Sequence, residues 1–407
     1  MGNPCDSSGL SYYLPDVDKV HTVLHIPGSH TLFIGPSACT RRHAFHAMEY
    51  GDRRHVSFLF ITEADVVSGD YENLVGDAVA DLLAVLDPAP HIFLLAVFCI
   101  DDFLGTDEDA LLCRLLERFP DRRFAVDHID PVTLGENPKK GMMKGHVNLY
   151  MFLRPEAEHD AGVNFLGNFV SLDPRCDFLS FLRDRGMGPV RELFSCTTYE
   201  EYQAMAKSRL AIGMRFVGED TQSYMTDILG IPYCYVPASY DAGVVAEGYA
   251  EIAVTIGCEV PDLSEAVLAA ERDARETAEF LDGMPVAVDS SAFLMPFSAA
   301  KALLGYGFSV RYIFRSRHVL LEREIAAYEE IAARGDVEIF RSDDYANLGR
   351  PAVAGDCLAI GADCRRLLGA NHFADVWHDE GYFGFHGIHR LMAVIREAAL
   401  REYDGGA

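Results

Sequence analysis

Short apolar runs alternate with amphipathic helical stretches along nearly the whole chain, and this alternation restricts the fold more than any other feature. It is the signature of βα units that build parallel sheets. Strands are expected first at residues 31–35, 55–61, 91–98 and 123–128. Residues 70–86 read as a helix, because Leu74, Val75, Ala78, Val79, Leu82 and Leu83 recur at three- and four-residue intervals. Residues 111–119 read as another.

A polar stretch with Pro and Gly, residues 130–145, then interrupts the pattern. Strands resume near 162–168, 189–194, 210–213 and 233–236, with a helix at 199–207 and one long helical region over 243–281. A last block has strands at 284–289, 309–314, 337–340 and 356–360 and ends in an amphipathic helix over 387–402. A chain of 407 residues exceeds what one hydrophobic core organises. The expected fold class is α/β, with three Rossmann-like domains whose mostly parallel four- to five-stranded sheets are flanked by helices. Their expected spans are 1–135, 136–282 and 283–407.

Composition excludes several classes. The formal charge of −27 argues against nucleic acid, whose phosphates require basic surfaces. No stretch reaches the roughly 18 apolar residues of a membrane span. Residues 1–6 have neither a basic region nor an apolar core, so no signal peptide is expected there. The ten cysteines are scattered rather than arranged as a disulfide framework, which points to a cytoplasmic protein with reduced thiols.

Two cysteines stand out. Cys39 closes Ile34-Gly35-Pro36-Ser37-Ala38-Cys39, and Cys99 follows the apolar run 91–98. Both thiols come where a strand ends, and in open α/β sheets ligands bind at that edge. Gly35 permits close backbone approach and Pro36 turns the chain off the strand. Cys113, Cys234, Cys357 and Cys364 read as structural, and the Cys357–Cys364 spacing fits no usual zinc pattern.

Several passages together resemble the component 1 family of nitrogenase-like oxidoreductases. That family comprises nitrogenase MoFe-protein subunits, cofactor-assembly scaffolds, light-independent protochlorophyllide reductase and the nickel-sirohydrochlorin reductive cyclase. Gly35-Pro36-Ser37-Ala38-Cys39 is similar to its Gly-Pro-x-x-Cys motif. Glu63-Ala64-Asp65-Val66-Val67-Ser68-Gly69, Cys99 through Asp107, Leu229-Gly230-Ile231-Pro232, and Gly381-Tyr382-Phe383-Gly384 with Gly387 through Leu391 resemble further family passages in the same order.

The resemblance implies an iron–sulfur cluster, [4Fe-4S] or larger, held at a subunit interface by three cysteines from each subunit. Cys39 and Cys99 carry over directly, and Cys5 is the candidate third ligand; the alternative for Cys5 is a thiol near a frayed terminus. It implies a homodimer or paralogous heterodimer. It also implies a partner resembling the ATP-dependent iron–sulfur reductase, because this chain has no Gly-x-x-x-x-Gly-Lys-Ser/Thr loop. His378 matches the family's third-domain histidine segment and is the candidate proton donor, with His386 or His389 as companions. The family's second-domain metallocluster cysteine falls near residues 214–216, where there is none. Dinitrogen reduction is therefore not expected. The expected function is a reductase acting on a tetrapyrrole or a small unsaturated molecule; the alternative is a scaffold for cofactor assembly.

Asp65 or Ser68 is read as a helix cap. Asp101, Asp102 and Asp107 are read either as a solvated loop or as a docking surface for the reductase, and Asp109 as solvated. Arg41, Arg42, His43 and His46 are either a solvated helix face, compensation for cluster charge, or a contact for a substrate carboxylate.

Overall fold

A computed structural model of the chain describes residues 26–49, 52–128, 149–215, 219–315, 321–342, 344–349, 352–353 and 355–402. The described strands form three sheets, and every strand pair in them is parallel.

The first sheet contains β1 (Ser29–Gly35), β2 (Val56–Phe60), β3 (Ile92–Val97) and β4 (Arg123–His128) in the order β2-β1-β3-β4. Both central strands are buried throughout, as expected of parallel strands covered on two faces. Leu32, Ile34, Phe93, Leu95 and Val97 pack on helices α3 (Tyr71–Val85) and α5 (Glu108–Arg118). The alternate residues Phe33, Ala96 and Phe98 pack on the other face, toward α1 (Ser37–Glu49). Two short helices, α2 (Glu63–Ser68) and α4 (Cys99–Leu104), start just past β2 and β3.

The second sheet has β5 (Val163–Leu166), β6 (Val190–Glu192), β7 (Leu210–Gly213) and β8 (Tyr233–Tyr235), ordered β6-β5-β7-β8. Its helices are α6 (Asp177–Arg183), α7 (Tyr199–Ala204), α8 (Glu219–Ser223), α9 (Ala242–Thr255) and α10 (Ser264–Phe280). The single long helix expected over 243–281 is thus two. α9 ends near Gly257, which has φ 72, and Pro261 lies in the connection, where a continuous helix cannot pass.

The third sheet orders β9 (Val286–Asp289), β10 (Val310–Arg315), β11 (Glu338–Arg341), β12 (Leu358–Ile360) and β13 (His372–Ala374) as β11-β10-β9-β12-β13. Its helices are α11 (Pro296–Tyr306), α12 (Glu322–Arg334), α13 (Ala362–Leu368) and α14 (Gly384–Ala399). The sequence pattern predicts no strand at β13, whose His372-Phe373-Ala374 carries no β-branched residue.

The sheets share cores. Ile26, Ile92, Leu94 and Ala125 from the first pack with Leu166, Ala211 and Tyr202 from the second. α14 joins the other two: Phe383, Phe385 and Ile388 enter the second core, while Leu391, Met392 and Ile395 enter the third. Gly384 starts this helix at φ 66, and a Cβ there would strike the Tyr249 hydroxyl, so only glycine fits. Each sheet reverses its strand order once: between β1 and β3, between β5 and β7, and between β9 and β12. Those three crevices are where open parallel sheets place ligands. Among the described residues, no helix is long and apolar enough to cross a membrane.

Candidate functional site

The crevice of the first sheet carries the two cysteines. Ile34 pairs with Val97, so β1 and β3 end side by side. Cys99 then begins α4, and Cys39 lies in the first turn of α1, its amide donating to the Pro36 carbonyl at 2.9 Å. A Cβ on Gly35 would lie 2.9 Å from Cδ2 of Phe98, so glycine lets the chain ahead of Cys99 close on the chain ahead of Cys39.

Cys39 is exposed and Cys99 half-buried. The contrast is with the buried cysteines: burial pushes the Cys176 thiol up to about 12 and Cys357 up to about 11, and raises Cys234 and Cys364 as well. Those four remain protonated and inert. Cys113 is exposed on α5, away from any strand end. A [4Fe-4S] cluster is held by four thiolates; the described residues bring two of that donor type to neighbouring strand ends and hold no group of three or more His, Cys, Asp or Glu able to bind a metal ion. Cys5 lies outside the described residues.

Nearby polar groups resolve into separate roles. The His43 ring stacks on Phe33 at 4.9 Å and meets Phe98 edge-on at 5.5 Å, so it packs on the sheet, while Arg41 is in solvent. The side chains of Arg42, His46 and Asp102 lie outside the described ones. Asp101 is buried against the Tyr71 side chain. Asp107 caps α5 by accepting from the Ala110 amide at 3.0 Å, and Asp109 is exposed. At α2 the cap is Thr62, with Asp65 closing a reciprocal capping box.

The second and third crevices face each other across a turn that follows β13. The Glu380 carboxylate accepts from the backbone amides of Phe169 (3.0 and 3.1 Å) and Val170 (2.9 Å), and it pairs with Arg215. Phe169 lies just past β5 and Arg215 just past β7. Arg215 also donates to the His378 carbonyl at 2.9 Å and stacks on the Phe169 ring at 4.8 Å. On the other side, His378 and Asp379 donate their amides to the Ser291 and Ala292 carbonyls beyond β9, each at 2.9 Å. The Asp379 carboxylate accepts from the Tyr240 hydroxyl and the Leu294 amide, both at 2.8 Å.

Burial lowers the His378 imidazole to about 4, with the Arg215 charge adding to the effect, so the ring is neutral at pH 7. It stacks on Trp377 at 4.8 Å. Burial raises Asp379 to about 6 and raises Glu380 too, against the opposing pull of Arg215. His386 and His389 turn to other partners. The His386 amide donates to Asp177 at 2.8 Å with its ring beside Asp173, and His389 pairs with Asp273 on α10 at 2.6 Å.

Sequence reasoning singled out His378 and passed over Arg215 and Glu380, which the same turn brings together. The available signal was an arginine directly behind the wholly buried strand Leu210-Ala211-Ile212-Gly213, a position that demands an anionic partner.

No protein-family profile matches the chain, and no curated protein sequence does. Solved structures do. Nitrogenase Cp1 at pH 6.5 superimposes with a TM-score of 0.67 over 93% of this chain and 90% of that one, at 16% identity. Nitrogenase Cp1 at pH 5 gives 0.53 over 92% and 85%, at 15% identity. The chain therefore has the α/β fold seen in nitrogenase Cp1.

Proposed function

We propose that this protein is the electron-accepting, substrate-binding component of a two-part, nitrogenase-like reductase. In this reading Cys39, Cys99 and Cys5 are ligands of an iron–sulfur cluster, [4Fe-4S] or larger, completed by a second subunit. The supporting observation is that two accessible thiols close adjacent central strands at the crevice of the first sheet, within a fold like that of nitrogenase Cp1. Bound there, such a cluster would supply one-electron storage and transfer.

The chain's own residues have defined tasks in this reading. Gly35 and Pro36 bring the two strand ends together and turn the chain into α1, which carries Cys39 in its first turn. The second subunit, an identical or a paralogous copy, supplies the remaining ligands. ATP hydrolysis falls to a separate iron–sulfur reductase. His378 would line the substrate site and, being neutral at pH 7, would relay a proton only by releasing one from one ring nitrogen as the other accepts one from solvent. The substrate is a tetrapyrrole or a small unsaturated molecule.

One observation favours the second reading, a scaffold that holds a cofactor precursor without turnover. Where the family resemblance implies a metallocluster cysteine, this chain has Met214-Arg215, and Arg215 is committed to Glu380. The same pair argues against dinitrogen chemistry. Mixing the protein with a reduced nitrogenase-type reductase and MgATP separates the readings. ATP-dependent oxidation of the reductase with loss of a candidate tetrapyrrole supports the enzyme; retention of the ligand unchanged supports the scaffold.

A further inference from the structure

The strand order of the second sheet reverses between β5 and β7, and three donors converge at that crevice. They are the amides of Phe169 and Val170, just past β5, and the guanidinium of Arg215, just past β7. Backbone amides beside an arginine fork make a nest for an oxyanion. The group in that nest, the Glu380 carboxylate, belongs to neither strand end. It is delivered by the turn after β13 of the third sheet.

One feature marks this occupancy as incomplete. Arg215 uses Nη2 for both Glu380 and the His378 carbonyl, while its Nε, in a side chain only 8% exposed, has no hydrogen-bond partner. A guanidinium normally grips a carboxylate or phosphate with two parallel bonds. The turn holds two successive non-glycine residues in the left-handed region, His378 at φ 44 and Asp379 at φ 60. Residues with a Cβ adopt that region at a cost and only when the surroundings enforce it. The bonds of the His378 and Asp379 amides to Ser291 and Ala292, and of the Asp379 carboxylate to Tyr240 and Leu294, hold the turn there.

We propose that Phe169, Val170 and Arg215 form a binding site for a small oxyanion ligand, presenting a phosphate or a carboxylate group, and that Glu380 is a built-in occupant which the ligand displaces. The ligand's second oxygen reaches Arg215 Nε, and the freed Glu380 carboxylate moves to solvent, where its charge is better accommodated. This site does not depend on an iron–sulfur cluster, so iron-free protein serves for its test.

Trp377 is the only tryptophan of the chain and lies three residues before Glu380, so its emission reports the turn directly. Inorganic phosphate and succinate are titrated separately into the full-length protein at constant ionic strength, with sodium chloride as the control. The expected result is a saturable emission change with one of the two oxyanions and none with chloride; the one that saturates lower identifies the group. The same anion should bind Glu380→Ala about tenfold more tightly, because the internal competitor is gone. Arg215→Met should abolish binding; should that variant not fold, Arg215→Lys, which keeps the charge and loses the fork, should weaken it about tenfold. A change that never saturates, that chloride reproduces, or whose midpoint is the same in Glu380→Ala overturns the proposal.

Discussion

The Arg215 guanidinium and the Glu380 carboxylate, 165 residues apart in sequence, meet as an ion pair with side chains only 8% and 4% exposed. Arg215 follows a strand of the second sheet and Glu380 follows the last strand of the third. The contact therefore fastens two sheets to each other, and both charges rely on it for their solvation.

Removing one partner leaves the other buried without a counterion. Arg215→Met should lower unfolding free energy by about 3 to 5 kcal/mol in urea titrations. Adding Glu380→Gln should recover part of that loss, since the neutral amide no longer needs a cation. Equal stability of the single and double variants would contradict this coupling.

Gly35→Ala should destabilise the protein by about 1 to 3 kcal/mol, because the new methyl group would sit 2.9 Å from the Phe98 ring. Phe98 immediately precedes Cys99, so the displacement should also change the rate at which Cys99 is alkylated. An unchanged melting temperature would show that the strand ends are not closely apposed.

Stability should respond to pH through His378. Its folded value of about 4 lies below the ordinary 6.5. The unfolded state therefore binds the proton first as pH falls, and this contribution is complete above 6.5 and lost progressively toward 4. His30, lowered by burial to about 4, acts in the same direction. Asp379, raised to about 6, acts oppositely, since the folded state takes up its proton first. In His378→Gln the stability lost between pH 7 and pH 4.5 should be about 2 kcal/mol smaller than in wild type. Identical urea midpoints at both pH values in the two proteins would refute it.

Thiol chemistry should divide the cysteines. In iron-free protein, iodoacetamide should modify Cys39 and Cys113 first among the described cysteines. Cys176, Cys357 and Cys364, buried and with raised pKa values, should react at least about a hundredfold more slowly until the chain unfolds. Peptide mapping by mass spectrometry reads the order.

What the sequence discloses follows the range of the interactions involved. Wholly buried strands such as Ile92–Val97, and helices with a clear apolar stripe such as Tyr71–Val85, are local patterns and were legible. The position of Cys39 and Cys99 just past strand ends was legible for the same reason. β13, His372-Phe373-Ala374, lacks β-branched residues, and the break between α9 and α10 was passed over although Gly257 and Pro261 mark it in the sequence. Arg215 and Glu380 were illegible as a pair because their meaning arises only when two sheets are brought together. Asp107, read as a solvated loop charge or a docking charge, also caps the helix that starts one residue on.

The most direct test of the proposed function is iron and acid-labile sulfide on anaerobically purified protein, for wild type, Cys39→Ala and Cys99→Ala, with Cys113→Ala as the control. The account predicts stoichiometric iron and a dithionite-reducible EPR signal in wild type and in the control, and loss of both in the other two variants. A wild type that takes up no iron after reconstitution, or a Cys39→Ala protein that keeps its full complement, would contradict it.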